Sequence, residues 1–108
     1  MMLKYKIEIE GKNNPLPVVH FEDERYELAA TFLLAEARNF GSAIVDALEE
    51  VCEGEKEKGS FAGNVFSLEI TPEITTICDD ISGKECGIGT QALKEIAEEY
   101  VAAYEKLQ

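Results

Sequence analysis

Hydrophobic and polar positions alternate strictly over residues 3–10, with Leu3, Tyr5, Ile7 and Ile9 on one side and Lys4, Lys6, Glu8 and Glu10 on the other. That period of two predicts a strand with one buried and one wet face. Gly11 to Pro15 is turn chemistry, and Pro15 and Pro17 exclude a helix from the next segment, so residues 18–21 read as a short strand. Val19 and Phe21, then Tyr26 and Leu28, hold the same period. The expectation is a hairpin turning through Glu22–Arg25, with a helix start as the alternative.

From Thr31 the period changes. Leu33, Ala37, Phe40, Ile44, Leu48 and Val51 fall on one helical face, interrupted at Asn39–Ser42, which predicts two helices or one kinked helix. Residues 53–60, EGEKEKGS, read as an exposed loop. Phe66, Leu68 and Ile70 alternate as a strand, Thr71–Glu73 turns the chain, and the β-branched run from Ile74 to Cys78 is a second strand. Asp79–Gly83 is a further turn. Thr90 is the expected cap of a C-terminal helix whose Leu93, Ile96, Ala97, Tyr100, Tyr104 and Leu107 form one stripe. The fold class is α+β: an antiparallel sheet of four to six strands with helices packed on one face, closing on a C-terminal helix. At 108 residues the chain is expected to form a single domain, 1–108.

Composition narrows the partners. Ten Lys+Arg oppose 22 Asp+Glu, a formal net charge of −12. A surface this negative repels phosphate, so neither nucleic acid nor an anionic membrane is an expected partner. Neither a continuous apolar secretory core nor a membrane-length apolar run occurs. Cys52, Cys78 and Cys86 are an odd number without a C-x-x-C pair, which favours reduced thiols and a cytoplasmic location, with a Cys78–Cys86 bridge as the alternative.

Candidate chemistry is sparse. His20 is the one histidine and lacks a neighbouring nucleophile signature. The cysteines and His20 lack the spacing of a zinc site, and Asp79–Glu85 has calcium-like oxygen donors without the order of an EF-hand loop. Glu49/Glu53 and Glu95/Glu99 pair carboxylates at i, i+4 without the histidine a di-metal helix uses. Gly87–Ala92 fits G-x-G-x-x-A, but no strand bearing an acidic residue comes after it, as a dinucleotide site requires. No catalytic residue, metal or cofactor is assigned on these grounds. The acidity points instead to a basic protein partner, although acidity alone is common among bacterial cytoplasmic proteins. Two clusters are the candidate docking surfaces: Glu22, Asp23 and Glu24, and Glu95, Glu98, Glu99 and Glu105 on the last helix. The alternatives are a small enzyme or ligand-binding domain using a cleft near His20 or Cys86, and a homo-oligomeric structural protein.

The segment from Thr75 onward reads TTICDD-ISGKECGIGT-QALKEIAEEYVAAYEKL. It resembles the C-terminal signature of small acidic bacterial toxin-immunity proteins of contact-dependent or polymorphic toxin systems. In these, a Thr-Thr-Ile strand leads through an acidic turn and a Cys-x-Ile-x-Thr step into an acidic, aromatic-bearing helix. The matching positions are Thr75, Thr76, Ile77, Cys86, Ile88, Thr90, Leu93, Ile96 and Tyr100, while Gly87 and Gly89 depart from the acidic residues usual there. The resemblance covers about a third of the chain and implies a non-enzymatic cytoplasmic protein that binds and blocks a toxin, often a basic nuclease. It carries over no binding residue, because each immunity protein uses the surface its own toxin requires.

Overall fold

A computed structural model describes residues 3–108. Alternation produces the first two strands, β1 (Tyr5–Glu10) and β2 (Leu16–Phe21), which pair antiparallel from Tyr5 opposite Phe21 to Glu10 opposite Leu16. Gly11, at φ 104°, makes the turn between them possible, because that backbone is strained for any residue with a Cβ. The ribbon turns Val19 and Phe21 inward, while Ile9 near its far end stays half exposed.

The expected hairpin through Glu22–Arg25 does not form. Asp23 accepts a hydrogen bond from the Arg25 backbone N–H at 2.9 Å and starts a 3-10 turn over Glu24–Tyr26, which runs directly into helix α1 (Glu27–Cys52). Local carboxylate capping therefore overrides the period of two at Tyr26 and Leu28. Helix α1 is one kinked helix, broken in geometry at Phe40 (φ −127°, ψ 19°). The Gly-Ser pair beside the kink does more than loosen it. A Cβ on Gly41 would lie 2.9 Å from Val101, so the glycine permits close approach of the C-terminal helix.

The second sheet contains four strands, in spatial order β3 (Gly59–Ala62), β4 (Phe66–Ile70), β5 (Ile74–Asp79) and β6 (Glu85–Gly89), all antiparallel. The sequence pattern indicated β4 and β5. Strand β3 begins inside the segment expected to be loop, and β6, Glu-Cys-Gly-Ile-Gly, carries too few β-forming side chains to announce itself. Pairing supplies what propensity lacks: Ile77 stands opposite Cys86 and Thr75 opposite Ile88.

Helix α2 (Thr90–Glu105) closes the chain. Its N-cap is Gly89, not Thr90. The Thr90 hydroxyl instead donates to the Thr71 carbonyl at 2.6 Å and lies 2.8 Å from the Thr75 hydroxyl, the latter a buried link from helix to sheet.

The core lies between the helices and the inner sheet face, where Leu33, Ile44, Leu48, Leu68, Ile77, Ile88, Leu93 and Ile96 are almost wholly buried. Phe32 meets Phe61 and Phe66 edge-on, with ring centroids 6.2 and 5.8 Å apart. The C-terminal stripe holds through Tyr100, whereas Tyr104 is half-buried and Leu107 is exposed. Among the described residues no helix is long and apolar enough to cross a membrane.

Candidate functional site

The first acidic cluster sits where the ribbon passes into α1. The Glu22 N–H donates to the Lys4 carbonyl at 3.0 Å, tying this link to the start of β1. Asp23 is committed locally: its carboxylate accepts Arg25 Nε at 2.9 Å and Nη2 at 2.7 Å. Those side-chain bonds, then the Arg25 backbone N–H, hold the Asp23 carboxyl below the usual aspartate range. Glu22 and Glu24 have no ion-pair partner among the described residues. Together with Leu3, Lys4 and Tyr26 the link borders an open concavity of about 620 Å³.

The second cluster divides between two sides of α2. Glu99 accepts the Tyr5 phenol, and Glu95 is close enough to act on the same group. The Tyr5 pKa is pushed up to about 12, first by burial and then by the Glu99 carboxylate. Glu98 pairs with Lys94 at 3.5 Å and, with Glu105, borders a depression that reaches Asp46 of α1. Glu95 and Glu105 have no ion-pair partner among the described residues.

The fold thus brings together what the sequence separates. Glu99 reaches β1 through Tyr5, Glu22 reaches it through Lys4, and the rings of Tyr5 and Phe21 lie 6.1 Å apart. Glu22 of the first cluster and Glu99 of the second therefore meet the same end of the ribbon, while Glu98 and Glu105 face the depression toward Asp46.

His20 borders an open depression of about 330 Å³ with Lys4, Tyr5 and Phe21, while Cys86 is buried elsewhere. His20 lies on the outer ribbon face, with Nε2 2.5 Å from Glu10 Oε2 and 3.5 Å from Glu8 Oε1. Cys86 points inward and its thiol donates to the Arg25 carbonyl at 3.2 Å; burial pushes its pKa up, which makes it a poor nucleophile. The register also answers the disulfide question. Cys86 opposes Ile77, while Cys78 opposes Glu85, so the two cysteines occupy opposite sheet faces and all three thiols are free.

In the Asp79–Lys84 turn the oxygens are engaged by the protein itself. Asp79 Oδ1 accepts the Ile81 and Ser82 N–H groups at 2.9 and 3.2 Å, bonds that hold its carboxyl below the usual range, and Asp80 accepts the Ser67 hydroxyl at 2.8 Å. This turn presents Ile81 at 80% exposure, an apolar knob that reading the segment only as a polar turn overlooks.

A further carboxylate went unnoticed in the sequence. Glu36 is completely buried and accepts three consecutive backbone N–H groups, from Asn64 at 3.1 Å, Val65 at 2.9 Å and Phe66 at 2.8 Å. A Cβ on Gly63 would fall 2.4 Å from this carboxylate. The available signal was positional: Glu36 lies four residues after Phe32 and three after Leu33, on the face that should be apolar.

Comparison with known proteins adds one informative likeness. No family model matches the chain, and no solved structure matches it. A protein of Bacillus cereus described as an immunity protein is 30% identical over 98 residues, spanning 87% of this chain and 83% of that protein. The likeness therefore extends well beyond the segment from Thr75 onward.

Proposed function

Since this chain belongs to the family of immunity proteins, we propose that it binds a basic toxin protein and blocks its activity as a cytoplasmic antidote. The observation that carries the electrostatic part is the set of uncommitted carboxylates. Glu22, Glu24, Glu95 and Glu105 have no ion-pair partner among the described residues of a protein with net charge −12. Exposed charges of one sign accelerate encounter with an oppositely charged partner and disfavour others. Asp23, Glu98 and Glu99 contribute field but are already bonded to Arg25, Lys94 and Tyr5. No catalytic role is assigned: His20 is half-exposed on the outer ribbon face beside Glu10, and burial pushes the Cys86 thiol up. A cytoplasmic location is supported by the three free thiols.

The test begins with affinity capture from the source organism's lysate at low salt, then elution at high salt. The expected product is a stoichiometric basic protein whose toxicity is suppressed by co-expression of this chain. A captured partner without toxicity would remove the antidote reading. Equal association rates for the wild type and a Glu22→Lys, Glu24→Lys, Glu95→Lys, Glu105→Lys variant, at low and high salt, would remove the electrostatic one.

A further inference from the structure

The outer face of the β1–β2 ribbon gathers Glu8, Glu10 and His20, and from this, independently of the antidote reading, we infer a binding site for a divalent transition-metal ion of the zinc class. Lys6 pairs with His20 across the ribbon, Glu8 with Val18 and Glu10 with Leu16, so all three candidate ligands project from one face of a hydrogen-bonded hairpin. Both carboxylates converge on the imidazole, and one donor atom from each residue lies within 4.8 Å of the others.

The spacing is close to what coordination needs. Zinc–nitrogen and zinc–oxygen bonds of about 2.0–2.2 Å place neighbouring ligands about 3.4 Å apart in a tetrahedron. His20 Nε2 and Glu8 Oε1 are already 3.5 Å apart. His20 Nε2 and Glu10 Oε2, now in direct hydrogen-bond contact at 2.5 Å, would separate by about 1 Å to admit the ion. Two carboxylates balance a 2+ charge, while the imidazole favours zinc-like ions over calcium or magnesium, which prefer all-oxygen surroundings. The side chains of His20, Glu8 and Glu10 are 41%, 50% and 48% exposed, so an ion reaches them without unfolding the ribbon. Three protein ligands leave a position for water or for a donor from a second protein. Lys6 Nζ stands 3.5 Å from Glu8 Oε1 and competes as a resident cation.

Because His20 is the chain's one histidine, its ring nitrogens give an unambiguous NMR signal. Zinc(II) added to the full-length ¹⁵N-labelled protein near pH 7 is expected to shift that signal and saturate at one equivalent. Calorimetry should show binding weakened at least about tenfold by His20→Ala and by Glu10→Gln, a loss that even outer-shell changes can reach. Lys6→Ala should tighten binding, and Glu69→Gln, on the other sheet, should leave it unchanged. An unmoved ring signal, equal zinc affinity in His20→Ala, or an equal ring shift with calcium would overturn the assignment. Circular dichroism on each variant separates loss of the site from loss of the fold.

Discussion

Glu36 and the pair Glu22/Glu24 share one side-chain chemistry in opposite circumstances. Under the β3–β4 turn, Glu36 is removed from water and its carboxylate accepts three main-chain N–H groups. At the ribbon–helix link, Glu22 and Glu24 are exposed and have no ion-pair partner among the described residues. A buried polar group is stable only when hydrogen bonds replace its solvation, so Glu36 is committed to the fold. An exposed charge contributes little to stability and remains available to a partner. The difference teaches where an acidic protein holds itself together and where it has charge to offer.

The largest expected effect breaks the buried side of this contrast. Glu36→Ala leaves three N–H groups without their acceptor and opens a cavity, and should lower the unfolding free energy by about 3–5 kcal/mol. Urea denaturation should show a lower midpoint at unchanged slope. A loss below about 0.5 kcal/mol, the scale of an ordinary surface change, would erase the contrast. Gly63→Ala approaches the same carboxylate from the turn. Its Cβ would lie 2.4 Å from an oxygen held by hydrogen bonds, and overpacking of this kind costs about 1–3 kcal/mol. A normal urea midpoint for Gly63→Ala would show that the turn yields easily. Thr90→Val tests the other buried polar link and should cost about 1–3 kcal/mol, since the Thr71 carbonyl and Thr75 hydroxyl lose a partner.

On the exposed side, reversing Glu22 and Glu24 to lysine should move stability by no more than about 0.5 kcal/mol per site. The urea midpoint checks this, and a large fall would mean that these carboxylates also support the fold.

The smallest effect is in pH. Repulsion from Glu53 raises the Glu49 carboxyl above its ordinary range, so the folded state binds this proton more readily than the unfolded state does. Stability therefore rises as pH falls through the raised Glu49 value toward the ordinary glutamate range. Asp23 and Asp79 are held low and act oppositely: their contributions are present above the ordinary aspartate range and are lost as pH falls through their lowered values. Thermal melts across acidic pH should pass through a shallow maximum, and Glu53→Gln should flatten its rising limb. A steady decline from neutrality downward would contradict the assigned repulsion.

Much of the fold was legible because side-chain periodicity is local. Tyr5–Glu10, Phe66–Ile70 and Thr90–Glu105 declare themselves by which side chains turn inward, and the kink in α1 by its Gly-Ser step. The 3-10 turn over Glu24–Tyr26 was obscured because Tyr26 and Leu28 imitate a strand while Asp23 caps a turn. Strand β6 was obscured because two of its five residues are glycine, and only main-chain pairing with β5 extends it. The candidate acidic residues could be named from charge, but not sorted into bonded and unbonded.

The sequence by itself determined the α+β class, the wet and dry faces of its clearest elements, and the strongly negative charge. Tertiary structure alone decided that Glu36 serves the interior, that Glu99 meets Tyr5, and that Glu8 and Glu10 gather around His20. Periodicity depends on neighbours a few positions away, whereas the partner of a charged or polar group is selected by non-local contacts that exist only after the chain has folded.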